Sequence, residues 1–243
     1  EFNGTEDQNS VEICSTNVAV IPSSGGHDHG SSKVKLKNIV DFTWEPHFYT
    51  GQLLAVHMSG KYLAYGIKSG SGAGMVRVIH KDLEQRSLLR GMQGAIQDLA
   101  FAHTNNAILA CIDFAGSVFV YTIVSSASQI VCNVHLAIEA DNPTPMSHRL
   151  VWCPYIPEED NQEDDVSKLL IVTRGNSAEL WSIDNVFTQL GSGPLKRNDP
   201  NVINCGGFTQ ICEHDGGIVE AILSPDGTAI ATASLDGRVK FFQ

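Results

Sequence analysis

The chain lacks any apolar run near the roughly 20 residues that a membrane-spanning helix needs, although 42% of its 243 residues are hydrophobic. It opens on a polar stretch, without the positive and apolar segments of a secretory signal. Its six cysteines are scattered and form no C-x-x-C pair, which favours reduced, buried thiols in the cytosol or nucleus. These features predict a globular domain with a sizeable core that takes no secretory route.

Basic residues are also scarce. Sixteen Lys and Arg face 27 Asp and Glu, which gives a net charge of -11. Proteins that bind nucleic acids usually carry a basic surplus on one face, because neutralising phosphates supplies much of their affinity. The charge therefore predicts a ligand other than RNA, and direct RNA binding through a local basic patch stays open as the alternative.

Sequence motifs of common hydrolases are absent as well. The chain contains no G-x-S-x-G and no H-E-x-x-H. His27 and His29 stand two residues apart in a Gly- and Ser-rich stretch, but a metal site needs three or four ligands on a rigid frame. We therefore expect no enzymatic activity, no metal site and no cofactor.

What the chain does contain is a regular alternation of strand and turn signals, clearest in residues 213–243. Residues 218–223 and 229–234 are typical of strands, and Pro225-Asp226-Gly227 between them is typical of a turn. Asp236-Gly237 then predicts a tight hairpin before a third strand. The same strand and turn order recurs in residues 52–79, 96–121 and 150–181, as expected of a repeat protein.

The final copy resembles one blade of a WD-repeat β-propeller. In that pattern a His, a Ser or Thr, an Asp and a Trp share a hydrogen-bond network, and the resemblance assigns His214, Ser234 and Asp236 to three of these roles. Phe242 stands where Trp is usual, so the network lacks an indole donor. Catalysis by these three side chains is the alternative, and the blade pattern favours a structural role.

The predicted fold is therefore an all-β WD-repeat propeller. It has about four antiparallel blades here, of about seven expected, and no helix longer than a turn or two. Three blades have four strands, and the fourth ends after its third strand. We assign residues 1–33 to an N-terminal strand and a flexible Gly/Ser loop that closes the propeller, and residues 34–243 to the blades. Residues 191–200 are interpreted as a long surface loop.

Four segments resemble the amino-terminal propeller of the enhancer of mRNA-decapping protein 4 family: residues 40–49, 94–103, 149–159 and 223–241. The resemblance implies a non-enzymatic scaffold for protein–protein interaction in mRNA decapping and 5′-to-3′ decay, in cytoplasmic processing bodies. It implies the decapping enzyme and its activators as partners, mainly through regions absent here. A propeller that binds RNA directly and a WD-repeat adaptor of another complex remain the alternatives.

Two segments are candidates for partner binding. The first is an aromatic cluster beside a proline, Trp44, His47, Phe48 and Tyr49. Such residues often dominate interfaces, but the cluster is also compatible with a plug over the joint between blades. The second is the acidic stretch that begins with Glu158, Glu159 and Asp160. It is either a docking surface for a basic peptide or a dispensable, mobile loop.

Overall fold

The computed structural model describes residues 39–140, 147–154 and 168–243. By its internal contacts the chain divides into residues 1–43 and residues 44–243. All the regular secondary structure described below lies in the second unit.

Four successive sheets follow the chain. The first contains β1 to β4, in order Leu54–Val56, Tyr62–Lys68, Gly74–His80 and Arg86–Leu89. The second contains β5 to β8, in order Ile96–Phe101, Ala107–Asp113, Val118–Ser125 and Ile130–Glu139. The third begins with β9 to β11, in order His148–Trp152, Leu169–Arg174 and Ser177–Ser182.

An insertion follows β11 and comprises helix α1 (Ile183–Leu190), strand β12 (Leu195–Lys196) and helix α2 (Pro200–Ile203). Strand β13 (Phe208–Glu213) then completes the third sheet. The fourth sheet contains β14 to β16, in order Ile218–Leu223, Ile230–Ser234 and Val239–Phe242.

Within each sheet, neighbouring strands of one repeat are antiparallel. The turn between β15 and β16 contains Gly237 at a φ of 79°, a conformation that glycine adopts without steric cost. Three sheets have four strands from one repeat, and the fourth has three. The predicted all-β, partial WD-repeat propeller is confirmed for the described residues.

The insertion corrects the interpretation of residues 191–200 as a loop. Strand β12 pairs in parallel with the end of β8, with Leu195 opposite Ile138, and so extends the second sheet. Helix α1 has eight residues, just over two turns. Ile183 and Val186 stand three residues apart on α1 and are both buried, so the helix is stabilised by packing against the core.

The hydrophobic core lies between successive sheets and is smallest between the third and the fourth. One cluster joins the first two sheets, for example through Val78 and Leu109. A second joins the second and third sheets, for example through Ile112 and Trp181. Among the described residues, the cluster between the third and fourth sheets has five buried members. The fourth sheet is therefore the least firmly packed of the four.

A buried carboxylate ties the insertion to the third sheet. Glu179 on β11 accepts hydrogen bonds from Trp181 Nε1 at 2.9 Å and from Arg197 Nε at 2.7 Å, and it also pairs with Arg174. Arg197 directly follows β12, and its guanidinium lies over the ring of Phe208 at 4.6 Å. Because the buried charge is matched by two cations, removing either arginine would leave it under-compensated.

Candidate protein-binding groove

The first strands of the four sheets, β1, β5, β9 and β14, together line a groove of about 570 Å³. Each strand contributes apolar side chains to its walls, among them Val56, Phe101, Trp152 and Ile222. The volume lies within the range of roughly 300 to 1,000 Å³ that is usual for ligand pockets. The groove is therefore a concave, mainly apolar surface built on rigid strands.

Asp98 ties three sheets together at the groove. Its side chain is 3% exposed and accepts hydrogen bonds from the backbone N–H of Gln52 and of Leu150, both at 2.8 Å. Arg149 Nε donates a further bond at 3.1 Å. Burial raises the pKa of Asp98, and the backbone N–H groups of Leu150 and Gln52, together with the Arg149 charge, oppose that rise.

Arg149 is held from several sides. Besides its bond to Asp98, its Nη1 donates to the carbonyl oxygen of Thr50 at 2.7 Å. The carboxylate of Glu220 lies 4.0 Å from the same nitrogen, and the Glu220 side chain is 56% exposed. The arginine thus links the third sheet to the segment before β1, and its charge is already shared between two carboxylates.

Trp44 and the rest of the aromatic cluster have different environments. The Trp44 Nε1 donates to the carbonyl oxygen of Gly66 on β2 at 2.9 Å. Its ring meets Tyr65 edge to face, with centroids 6.1 Å apart. Both contacts are with β2, so they fix the Trp44 side chain on the first sheet.

Phe48 is a strongly exposed apolar member of the cluster, with 87% of its surface accessible. The rings of His47 and Tyr49, on either side of it, are in contact at a tilt of 36°, with centroids 3.9 Å apart. The Tyr49 hydroxyl donates to the carbonyl oxygen of Glu45 at 3.0 Å, which closes the segment on itself. The carbonyl oxygen of Thr50 accepts a hydrogen bond from Arg149, which lines the groove. Phe48 stands two residues before Thr50 in the chain.

The structure brings His214 and Asp236 together, with Nδ1 and Oδ2 3.1 Å apart. The second ring nitrogen, Nε2, lies 2.9 Å from Thr232 Oγ1. Ser234 donates instead to the carbonyl oxygen of Gly216 at 2.9 Å. The hydroxyl beside the imidazole therefore belongs to Thr232, which the sequence interpretation missed, although the two-residue period of β15 places it on the face of the buried Ile230.

Asp236 accepts several hydrogen bonds at the β15–β16 turn. Desolvation raises its pKa, but the backbone N–H of Arg238 and the imidazole of His214 outweigh that effect and lower the pKa to about 2. The Asp215 N–H adds a bond of 3.1 Å. The carboxylate therefore remains ionised at neutral pH and connects the start of the blade to its second hairpin.

Several predicted features lie outside the described residues. Glu158, Glu159 and Asp160 are among them, and so are His27 and His29. Across residues 39–140, 147–154 and 168–243, no group of three His, Cys, Asp or Glu side chains is placed to hold a metal ion. No helix in that part of the chain is long and apolar enough to cross a membrane.

Comparison with solved structures supports the fold. The WD40 domain of Toxoplasma gondii coronin matches 83% of this chain and 44% of its own, at a TM-score of 0.55 and 13% identity. Chaetomium thermophilum Sqt1, solved with the N-terminus of the ribosomal protein L10, matches 78% of this chain and 44% of its own, at a TM-score of 0.52 and 15% identity. These similarities are at the level of the WD40 fold.

Comparison with protein families is more specific. The model of the WD40 region of Ge1, enhancer of mRNA-decapping protein, matches residues 30–243. Enhancer of mRNA-decapping protein 4 from Danio rerio is 40% identical over 97% of the chain, and the human protein is 36% identical over all of it. The chain spans 16% and 17% of the lengths of these two relatives. The chain belongs to the family of WD40 regions of Ge1, the enhancer of mRNA-decapping protein.

Proposed function

We propose that this domain is a non-enzymatic scaffold module that binds protein segments in mRNA decapping and 5′-to-3′ mRNA decay. It works in the cytoplasm, in processing bodies, where the longer protein connects the decapping enzyme with its activators. The groove binds an extended segment of one of these proteins, and Phe48 adds an apolar contact near the groove.

The apolar groove carries this proposal. Its walls are strands rather than loops, so little conformational entropy is lost there when a partner binds. A strongly exposed phenylalanine such as Phe48 provides a large contact area. The ordered contacts of Trp44 and Tyr49 fix the segment on both sides of it.

Membership of the family supports a role in mRNA decapping, since relatives that match the chain over 97% or more of its length are named enhancers of mRNA decapping. The structural similarity to Sqt1, which was solved with a bound protein N-terminus, supports a protein segment as the type of ligand. The side chains that resemble a catalytic triad support a structural role, because Ser234 contacts a backbone carbonyl rather than the imidazole.

The charges in the groove favour a protein segment over RNA. Arg149 is the cation of the lining, and its guanidinium is paired with Asp98. A phosphate backbone would therefore meet a cation that is already compensated, beside the carboxylate of Glu220. Because RNA affinity rests on phosphate contacts, this arrangement disfavours RNA as the ligand.

The test is a titration of the purified domain with single-stranded RNA and with purified decapping proteins, at two salt concentrations. We expect binding of a decapping protein with weak salt dependence, reduced by Phe48→Ala and unaffected by Val124→Ala. Val124 is a matched control because it is also exposed but lies on the distant β7. Tight RNA binding that falls steeply with salt, without a protein partner, would overturn the proposal.

A further inference from the structure

Two strands of the groove carry a carboxylate at the same structural position. Strand β5 has a bulge between Ile96 and Asp98, and β14 has a bulge between Ile218 and Glu220. Each bulge lies between the first and third residues of its strand and is followed by the regular part of the strand. Since bulges redirect side chains, Asp98 and Glu220 are equivalent positions of two repeats.

The two carboxylates differ in how they are satisfied. Asp98 is buried and bonded to Arg149 and to backbone N–H groups of two other segments. Glu220 is more than half exposed. Among the described residues, its Oε1 accepts a long bond from the neighbouring Ala221 N–H at 3.3 Å, and its Oε2 is 4.0 Å from Arg149. A carboxylate can accept about four hydrogen bonds, so Glu220 has capacity left for a donor from a ligand.

Glu220 is the charged residue of the lining that is least compensated by its neighbours. The titratable side chains of the groove are Asp98, His103, Arg149 and Glu220. Asp98 and Arg149 compensate each other at 3.1 Å, and Arg149 is also bonded to the carbonyl oxygen of Thr50. Among the described lining residues, the Glu220 carboxylate therefore has no cation within hydrogen-bonding distance and lies on a mainly apolar surface.

From this arrangement we infer that the groove selects a mainly apolar segment with one lysine or arginine, and that Glu220 accepts the cationic group. The inference rests on the proposed function, because it specifies the ligand of the same groove. The same lining offers apolar side chains to the residues on either side of the cation, such as Ile222, two residues along the strand from Glu220, and Val56 on β1. The cation of the ligand forms an ion pair with Glu220, as Arg149 does with Asp98.

The probes are three fluorescently labelled peptides with capped ends, Ser-Leu-Val-X-Val-Leu-Ser, in which X is lysine, norleucine or glutamate. Norleucine keeps the length of the apolar stem without its charge, so it isolates the contribution of the ammonium group. Fluorescence anisotropy with the unmodified domain should show that the lysine peptide binds about fivefold tighter than the norleucine peptide, a typical effect of one solvent-accessible ion pair. The glutamate peptide should bind most weakly.

The variant Glu220→Gln removes the charge and keeps the shape of the side chain. We expect it to bind the lysine and norleucine peptides equally, with an unchanged melting temperature. Glu84→Gln is the matched control, because Glu84 is exposed on the turn between β3 and β4, outside the groove lining. This control should keep the fivefold preference.

Each other outcome contradicts the inference. Equal binding of lysine and norleucine peptides by the unmodified domain would overturn the role of Glu220 and leave the proposed function intact. Persistence of the lysine preference in Glu220→Gln would place the acceptor elsewhere. If none of the peptides binds, the inference fails, and the titration with decapping proteins decides separately whether the proposed function fails with it.

Discussion

The second and fourth sheets are copies of one repeat pattern with very different surroundings. Every residue of the central strand β6 in the second sheet is buried, since a sheet packs on each face. In the fourth sheet one face packs on the third sheet, and the other exposes Ile222, Val239 and Phe241. The same strand pattern therefore contributes very different stability, depending on its neighbours.

The equivalent turns of these two sheets also differ in burial. Asp113 is buried and accepts bonds from the N–H groups of Gln93, Gly94 and Ser117 at 3.0 to 3.3 Å. Asp236 occupies the corresponding turn of the fourth sheet and has His214 as an additional partner. In the second sheet the backbone N–H groups suffice without an imidazole. Both turns thus hold a carboxylate that accepts backbone N–H groups, but at different positions, because Asp113 lies opposite Ile96 where the fourth sheet has Ser234 opposite Ile218.

The largest expected effect concerns packing. Leu109 on β6 is fully buried, whereas Ile222 on β14 is 60% exposed. Leu109→Ala should lower the free energy of unfolding by about 3 kcal/mol, because it removes buried methyl groups and leaves a cavity. Ile222→Ala should lower it by less than about 0.5 kcal/mol. Urea denaturation followed by tryptophan fluorescence measures both, and equal losses would contradict the comparison.

The next effect concerns the two turns. Asp113→Ala leaves three N–H groups without their acceptor, and we expect a loss of about 2 kcal/mol in the free energy of unfolding. Asp236→Ala should lower the melting temperature less, because its turn is closer to solvent and water replaces part of the lost bonds. Calorimetry of both variants tests this order. A larger effect for Asp236 would show that the imidazole network dominates the turn.

A smaller effect concerns pH. The pKa of Asp236 is lowered to about 2 in the folded domain, against an ordinary value near 3.9. Its ionised form therefore stabilises the fold fully above about pH 4, and this contribution is lost as the pH falls toward 2. The difference in melting temperature between the unmodified domain and Asp236→Asn should shrink from pH 5 to pH 2. A constant difference would contradict the lowered pKa.

The smallest effect on stability is expected at Phe48. Its exposed ring contributes little to folding, so Phe48→Ala should change the free energy of unfolding by less than about 0.5 kcal/mol. Trp44→Ala should cost more, because it removes the indole bond to Gly66 and the contact with Tyr65. Urea denaturation of both variants measures the contribution of Trp44 to stability separately from that of the exposed Phe48. Similar losses would contradict this division of the cluster.

Much of the fold could be predicted because its signals are local. Strand alternation and turns such as Asp236-Gly237 depend on neighbouring residues, and the hairpins form where those residues predict them. The insertion was missed because Gly191 and Pro194 are typical of a loop. The strand β12 between them and α2 is stabilised by β8, more than 50 residues earlier in the chain, and sequence periodicity does not report such a partner.

The groove was harder to predict. Asp98 and Arg149 stand 51 residues apart and meet only because the first strands of two sheets lie side by side. Aligning the repeats would have shown that Asp98 and Glu220 share one position, but not that Asp98 is the one paired with Arg149. Which carboxylate is paired depends on how deeply each side chain is buried. Burial in turn results from the packing of whole sheets.

The short strand β12 has a consequence for how the domain unfolds. It belongs to the third repeat in sequence but is hydrogen-bonded to the second sheet, and Arg197 fixes its end to the buried Glu179. In repeat proteins, stability is approximately a sum of unit and nearest-neighbour contributions. This strand increases the coupling between two units, so their amide hydrogens should exchange with deuterated solvent as one cooperative block, while those of the fourth sheet exchange earlier.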